Sequence, residues 1–141
     1  MDYFPYASLS LRFLTKGYQR IYSRAFIVGD RNQDRIVYLV LDIEAGDTGI
    51  RNGILNGLQR LGPEYAVYNK DNIAVTGTHS HSSTGGWSNS FLQHINSAGL
   101  DRPTFDAIVN GSILSIQRAH QSLRQVGNPY MAVILFVNYE F

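Results

Sequence analysis

The residues best placed to do chemistry are His79 and His81, in the stretch Asn72 to Trp87 (NIAVTGTHSHSSTGGW). Ile73 to Thr78 is predicted as a strand, and strand side chains alternate faces, so two histidines two apart project to one side at its end. Two imidazoles a few ångströms apart are a metal-ligand geometry. The same pair can instead hydrogen-bond loop backbone, and spacing alone leaves both readings open. Ser82, Ser83, Thr84, Gly85 and Gly86 then form a Ser/Thr/Gly loop whose backbone is free to bend around a substrate or ion.

The elements that must carry this edge read as an α/β domain. Ala25 to Val28 is predicted as a strand, Gly29 to Asp34 as a polar turn and Ile36 to Ile43 as a second strand, together a hairpin. The near-continuous apolar run of the second strand predicts a central position covered on both faces. Asp47 or Thr48 is expected to cap a helix in which Ile50, Ile54, Leu55, Leu58 and Leu61 recur at helical spacing up to Gly62-Pro63. Gly53 and Gly57 weaken that helix by about 1 kcal/mol each relative to alanine, so packing must compensate. A helix between two strands favours a right-handed parallel crossover, which puts His79 and His81 at a strand's carboxyl end, where open α/β sheets place ligands.

Downstream, Phe91, Leu92 and Ile95 predict a short helical turn ended by Gly99. Asp101 and Pro103 open a longer helix with an apolar stripe of Phe105, Ile108, Val109, Ile113, Ile116 and Leu123, stopped by Gly127-Asn128-Pro129. Met131 to Val137 is a predicted strand, and left unpaired it would be an aggregation hazard. The fold class is therefore a layered α/β sheet with flanking helices, three-layered in character.

Composition narrows the function. The 141 residues carry 12 Lys plus Arg against 11 Asp plus Glu, a balance that predicts no nucleic-acid partner and no attraction to anionic membrane. Cysteine is absent, which removes thiolate ligands, a thiol nucleophile and disulfides from the options. The longest apolar run falls far short of the roughly 20 residues of a membrane span, so no transmembrane segment is expected. Met1 to Tyr18 lacks the features of a secretory signal, and the compartment stays unassigned.

Beyond the histidine pair, several blocks occur in a fixed order. They are Tyr22-Ser23-Arg24-Ala25-Phe26-Ile27-Val28, the strand Val37 to Asp42, Asp71-Asn72-Ile73, Gly77-Thr78-His79-Ser80-His81-Ser82 with Gly85, and Phe105-Asp106-Ala107-Ile108-Val109-Asn110-Gly111 with Ser115-Ile116 and Ala119-His120. Together they resemble the neutral ceramidase family over about residues 17 to 125, with 126 to 141 a divergent tail. The resemblance implies part of the catalytic domain of a zinc amidase that hydrolyses the N-acyl bond of ceramide to sphingosine and a fatty acid. By that resemblance His79 is a zinc ligand, and His81 lines the site beside the metal and assists. The other zinc ligands and the family's serine come from later in the family's chain. Residues 1–141 are therefore read as an N-terminal part of that domain, inactive alone. The family also offers a backbone carbonyl near Gly17 and Tyr18 to a second divalent ion such as Ca2+ or Mg2+. The implied partner is ceramide or a related N-acyl sphingoid lipid, reached at a membrane surface.

The departures are specific. Ser83-Thr84 stands where the family has Gly-Pro, which predicts a looser loop. Glu44-Ala45-Gly46 follows Asp42 where the family has a small residue and a methionine. His94 and His120 lie on predicted helices and are read as surface or half-buried rather than as ligands. Asp42 is read as capping loop amides, Arg20 as surface charge, and Asn110-Gly111-Ser112 as a glycosylation sequon placed mid-helix. The alternatives are a non-catalytic remnant or metal-binding module, and another His-x-His metallohydrolase such as an amidohydrolase barrel. The last would need further His and Asp ligands at later strand ends, whereas only His94 and His120 follow.

Overall fold

The structure, a computed structural model, describes residues 21–29, 34–123 and 135–140. A four-stranded mixed sheet organises them, in the order β3-β2-β1-β4. Strands β1 (Tyr22–Gly29) and β2 (Arg35–Leu41) form the predicted antiparallel hairpin, with Ala25 opposite Leu39. From β2 the chain passes through helix α1 (Thr48–Gln59) and a 3-10 turn (Pro63–Tyr65) into β3 (Ile73–Gly77). β3 lies parallel to β2, as the crossover pattern predicts, with Leu39 paired to Val75. After the short helix α2 (Phe91–Ser97) and the long helix α3 (Arg102–Gln121), strand β4 (Leu135–Glu140) adds antiparallel to the far side of β1. The late apolar strand is thus paired along its length. Residues 131–134 and the Gly127-Asn128-Pro129 stop lie outside the described residues, and α3 has already ended at Gln121.

Local chemistry explains the boundaries. Asp47 caps α1 by accepting from the amides of Gly49 (2.7 Å) and Ile50 (3.1 Å). Asp101 does the same for α3 through the Thr104 amide at 3.1 Å, with proline in the first turn. Ala98 ends α2 in the left-handed conformation, φ 57°, one residue before Gly99. The two glycines of α1 serve size. A Cβ at Gly53 would stand 2.9 Å from Val109 Cγ2, and one at Gly57 would overlap Ile113 Cδ1, so their absence lets α1 and α3 pack closely. That contact is the packing that offsets their weak helix propensity.

One sheet face is the core face. Alternation in β1 buries Ser23, Ala25 and Ile27, and in β2 it buries Val37, Leu39 and Leu41. These share a continuous core with Ile50, Ile54, Leu55 and Leu58 of α1 and with Ile108, Val109, Ile116 and Ala119 of α3. A buried hydroxyl pair, Ser23 Oγ to Ser115 Oγ at 2.9 Å, joins β1 to α3 within it. The opposite face differs from the sequence expectation. β2 is central in the sheet, yet Ile36 is 61% and Tyr38 49% exposed. Both long helices pack on the Ala25–Leu39 side, so among the described residues β2 is covered on one face.

Candidate metal-binding edge

The carboxyl ends of the parallel strands β2 and β3 lie side by side, and the histidines follow β3. Thr78 extends the pairing by one bond, its amide donating to Leu41 O at 2.9 Å. The strand then stops. His79 takes a left-handed backbone, φ 63°, a conformation that costs a non-glycine residue about 1–2 kcal/mol. His79 and His81 nonetheless come together, with ring centroids 4.7 Å apart and planes crossed at 76°. Strand alternation predicted the juxtaposition, but a left-handed turn produces it. Such local strain is characteristic of functional sites.

His79 is exposed at the sheet edge, and its Nδ1 lies 3.0 Å from the carbonyl oxygen of Glu44. A carbonyl only accepts, so Nδ1 carries the proton and Nε2 presents a lone pair. Metal-binding histidines are commonly oriented in this way, by a carbonyl on the nitrogen that does not bind. Of the two open readings of the pair, the bond to loop backbone is seen at His79 Nδ1, and it leaves the Nε2 lone pair unprotonated. His81 is exposed beside it. Among the described residues no group of three or more His, Cys, Asp or Glu side chains is arranged to hold a metal ion. The donors fit zinc in kind and would supply one or two ligands to such an ion.

The loop after the pair is anchored rather than loose. Trp87, 4% exposed, donates from its indole nitrogen to Thr84 O at 2.9 Å, and Gly86 O accepts from the Asp101 amide at 2.7 Å. Asp47, besides capping α1, accepts through Oδ2 from Ser88 Oγ and the Asn89 amide, both at 3.1 Å. His94 Nε2 donates to Ser88 O at 2.7 Å. Side-chain bonds hold the segment where proline is absent. Asp47→Ala removes the cap of α1 and both loop bonds at once, so it is expected to lower stability by about 1–2 kcal/mol. It should also raise amide hydrogen exchange at Ser88 and Asn89 more than within α3.

The remaining candidates have other roles. Asp42 accepts from Arg24 Nη1 at 2.5 Å and Nη2 at 3.1 Å, and from the Tyr22 amide at 3.1 Å. It clamps the two hairpin strands at the end that carries the site and does cap a backbone amide. His120 belongs to a separate cluster with Tyr68 and Arg35. Asn110 is exposed on α3, whereas the sequon's Ser112 is fully buried with its hydroxyl on Ile108 O at 2.7 Å. Gly17, Tyr18 and Arg20 lie outside the described residues. Sequence reasoning missed the Glu44 carbonyl, because a main-chain acceptor leaves no mark in residue types. It also missed Trp87 as the loop's anchor, although a lone tryptophan closing a glycine loop was a usable signal.

A mixed sheet flanked by helices, with paired histidines just past the carboxyl end of β3, defines an α/β protein with a candidate ligand site at that end. Known proteins specify the family. Residues 6–131 match the N-terminal part of the neutral/alkaline non-lysosomal ceramidases. The chain is 36% identical over 106 residues to a neutral ceramidase of Oryza sativa subsp. japonica, covering 74% of this chain and 13% of the relative. It is 34% identical over 104 residues to a neutral ceramidase of Mycobacterium tuberculosis, covering 73% of this chain and 16% of the relative. The crystal structure of neutral ceramidase from Pseudomonas aeruginosa superposes with a TM-score of 0.66 at 30% identity, over 72% of this chain and 16% of that one. This chain belongs to the neutral/alkaline non-lysosomal ceramidase family. It spans 13–16% of the length of these relatives.

Proposed function

We propose that these residues form one edge of a zinc amidase pocket that hydrolyses the N-acyl bond of ceramide to sphingosine and a fatty acid. His79 Nε2 is the zinc ligand contributed here, and His81 lines the pocket beside it. The observation that carries the reading is the Nδ1 bond of His79 to the Glu44 carbonyl, which leaves Nε2 as an acceptor at the exposed strand end. Family membership supports ceramide as substrate. When bound, zinc lowers the pKa of water to about 7 and polarises a carbonyl, which suits amide hydrolysis. The chain's own part is to present Nε2, to keep the His81 ring beside the His79 ring at 4.7 Å between centroids, and to hold the following loop through Trp87 and Asp47.

A catalytic zinc site ordinarily takes three protein ligands and keeps one position open. The described residues offer at most the two imidazoles, so the 141-residue chain alone is expected to bind zinc weakly and to turn over no ceramide. A second divalent ion bound near Gly17 and Tyr18 belongs to the same reading. Calorimetric zinc titration of the chain and of His79→Ala tests the ligand. Uptake lost in the variant is the expected result, and equal uptake by both would remove His79 from the site. A fluorescent-ceramide assay tests the rest: robust turnover by the 141-residue chain, abolished in His79→Ala, would overturn the view that this edge needs further ligands.

A further inference from the structure

We infer that the backbone crossing at residues 43–46 sets the tautomer of His79, and that Gly46 and Gly77 are its positioning residues. The inference rests on the reading of His79 as a metal ligand and says how this chain prepares that ligand. β2 ends at Leu41, and the chain then passes over the carboxyl end of β3 on its way to the cap of α1. The crossing is a contact of main chain on main chain. A Cβ on Gly46 would lie 2.5 Å from Val75 O. One on Gly77 would lie 2.6 Å from Ile43 O, 2.8 Å from Ala45 N and 2.9 Å from Ala45 Cα.

All of these atoms are backbone, so no rotamer change can make room. Any side chain at either position must lift residues 43–46 off the strand. What the close crossing achieves is visible two residues beyond Gly77. It places the Glu44 carbonyl 3.0 Å from His79 Nδ1, and the left-handed turn at His79 swings the ring toward it. The Glu44 side chain has no part in this bond. A carbonyl acceptor fixes the proton on Nδ1 before any metal arrives, so the lone pair of Nε2 is ready. Without the crossing the imidazole would exchange between tautomers, and part of the population would present a proton to the cation.

Long-range nitrogen NMR of the imidazoles in the metal-free 141-residue chain reads the tautomer directly, and zinc titration supplies the affinity. His79 is expected as the Nδ1–H form. Glu44→Ala, which keeps the carbonyl, should keep that form. Gly46→Ala and Gly77→Ala should give mixed tautomers with zinc binding weakened about 10–100-fold, the usual effect of losing such an orienting partner. An amide-to-ester replacement at the Glu44–Ala45 linkage weakens the carbonyl as an acceptor without adding an atom. It should shift the tautomer in the same direction even if the glycine variants fail to fold. Nε2–H at His79 in the metal-free chain would overturn the inference, as would an ester variant with unchanged tautomer and affinity. Nδ1–H at His79 that moves in the ester variant supports the inference even if no zinc is taken up, and in that case the metal reading alone fails.

Discussion

Leu39→Ala is expected to cost the chain about 3 kcal/mol, while Tyr38→Ala, one residue away on the same strand, is expected to cost about 1 kcal/mol or less. Leu39 is fully buried at the centre of β2, with Ala25 of β1 on one side and Val75 of β3 on the other. Removing its isobutyl group forfeits the transfer free energy and leaves a cavity where strands on both sides limit collapse. Tyr38 is 49% exposed, and its main described contact is the Phe26 ring at 6.3 Å. Urea denaturation of both variants with comparable m-values checks the contrast. If Tyr38→Ala proved as costly as Leu39→Ala, the second face of the sheet would have to be covered.

That contrast marks where the sequence stops being legible. IVYLVLDI is apolar at nearly every position, and a run without alternation reads as a strand buried on both faces. Among the described residues the pattern of exposure is alternating, because α1 and α3 occupy the same side. The residue types at Ile36 and Tyr38 do not record how many layers cover them. The helices were far easier to read. Caps at Asp47 and Asp101 and stripes at helical spacing are local chemistry, and both helices begin where that chemistry places them. The stripes overrun the helix ends: Leu61 lies beyond Gln59 and is 38% exposed, and Leu123 lies beyond Gln121.

The site was legible in part for the same reason. A His-x-His after a strand announces two imidazoles close together, and their rings do meet. The means of their meeting was hidden, since no sequence pattern assigns positive φ to a histidine. The orienting acceptor was hidden more deeply, as it is a carbonyl 35 residues upstream in sequence. Family-like blocks located the edge, but the bonds that prepare it come from backbone geometry. Glu44-Ala45-Gly46 departs from the family in residue type, yet here its backbone crosses β3 closely because Gly46 carries no Cβ.

Tyr68→Ala is expected to destabilise the chain by about 3–5 kcal/mol, the range for emptying a buried aromatic site. Tyr68 is 1% exposed and its hydroxyl lies 2.8 Å from His120 Nδ1. Arg35 Nη1 donates to the same nitrogen at 3.0 Å, and the Tyr65 ring packs on the imidazole at 4.8 Å. The cluster ties the last turn of α3 to the start of β2 and to the 3-10 turn. Here Nδ1 must be an acceptor, because a guanidinium only donates. His120 is thus held as the Nε2–H tautomer, the opposite of His79.

Burial lowers the His120 pKa from its ordinary 6.5, and the adjacent Arg35 lowers it further, with Glu64 opposing. A lowered histidine pKa means that the unfolded chain takes up the proton first. The cluster's contribution is therefore complete above about pH 6.5 and falls as acid carries the chain through the lower folded value. Burial raises the Tyr68 pKa above 10.0 despite Arg35, so at the alkaline end stability falls once the unfolded tyrosine ionises. Urea midpoints measured from pH 5 to 8 should decline on the acid side more steeply in the wild-type chain than in His120→Gln, which cannot take the proton. Parallel declines would remove His120 as the source of the acid sensitivity. A steeper decline in the wild type would mean that one imidazole, kept neutral by burial and by the adjacent Arg35, holds α3 against the sheet.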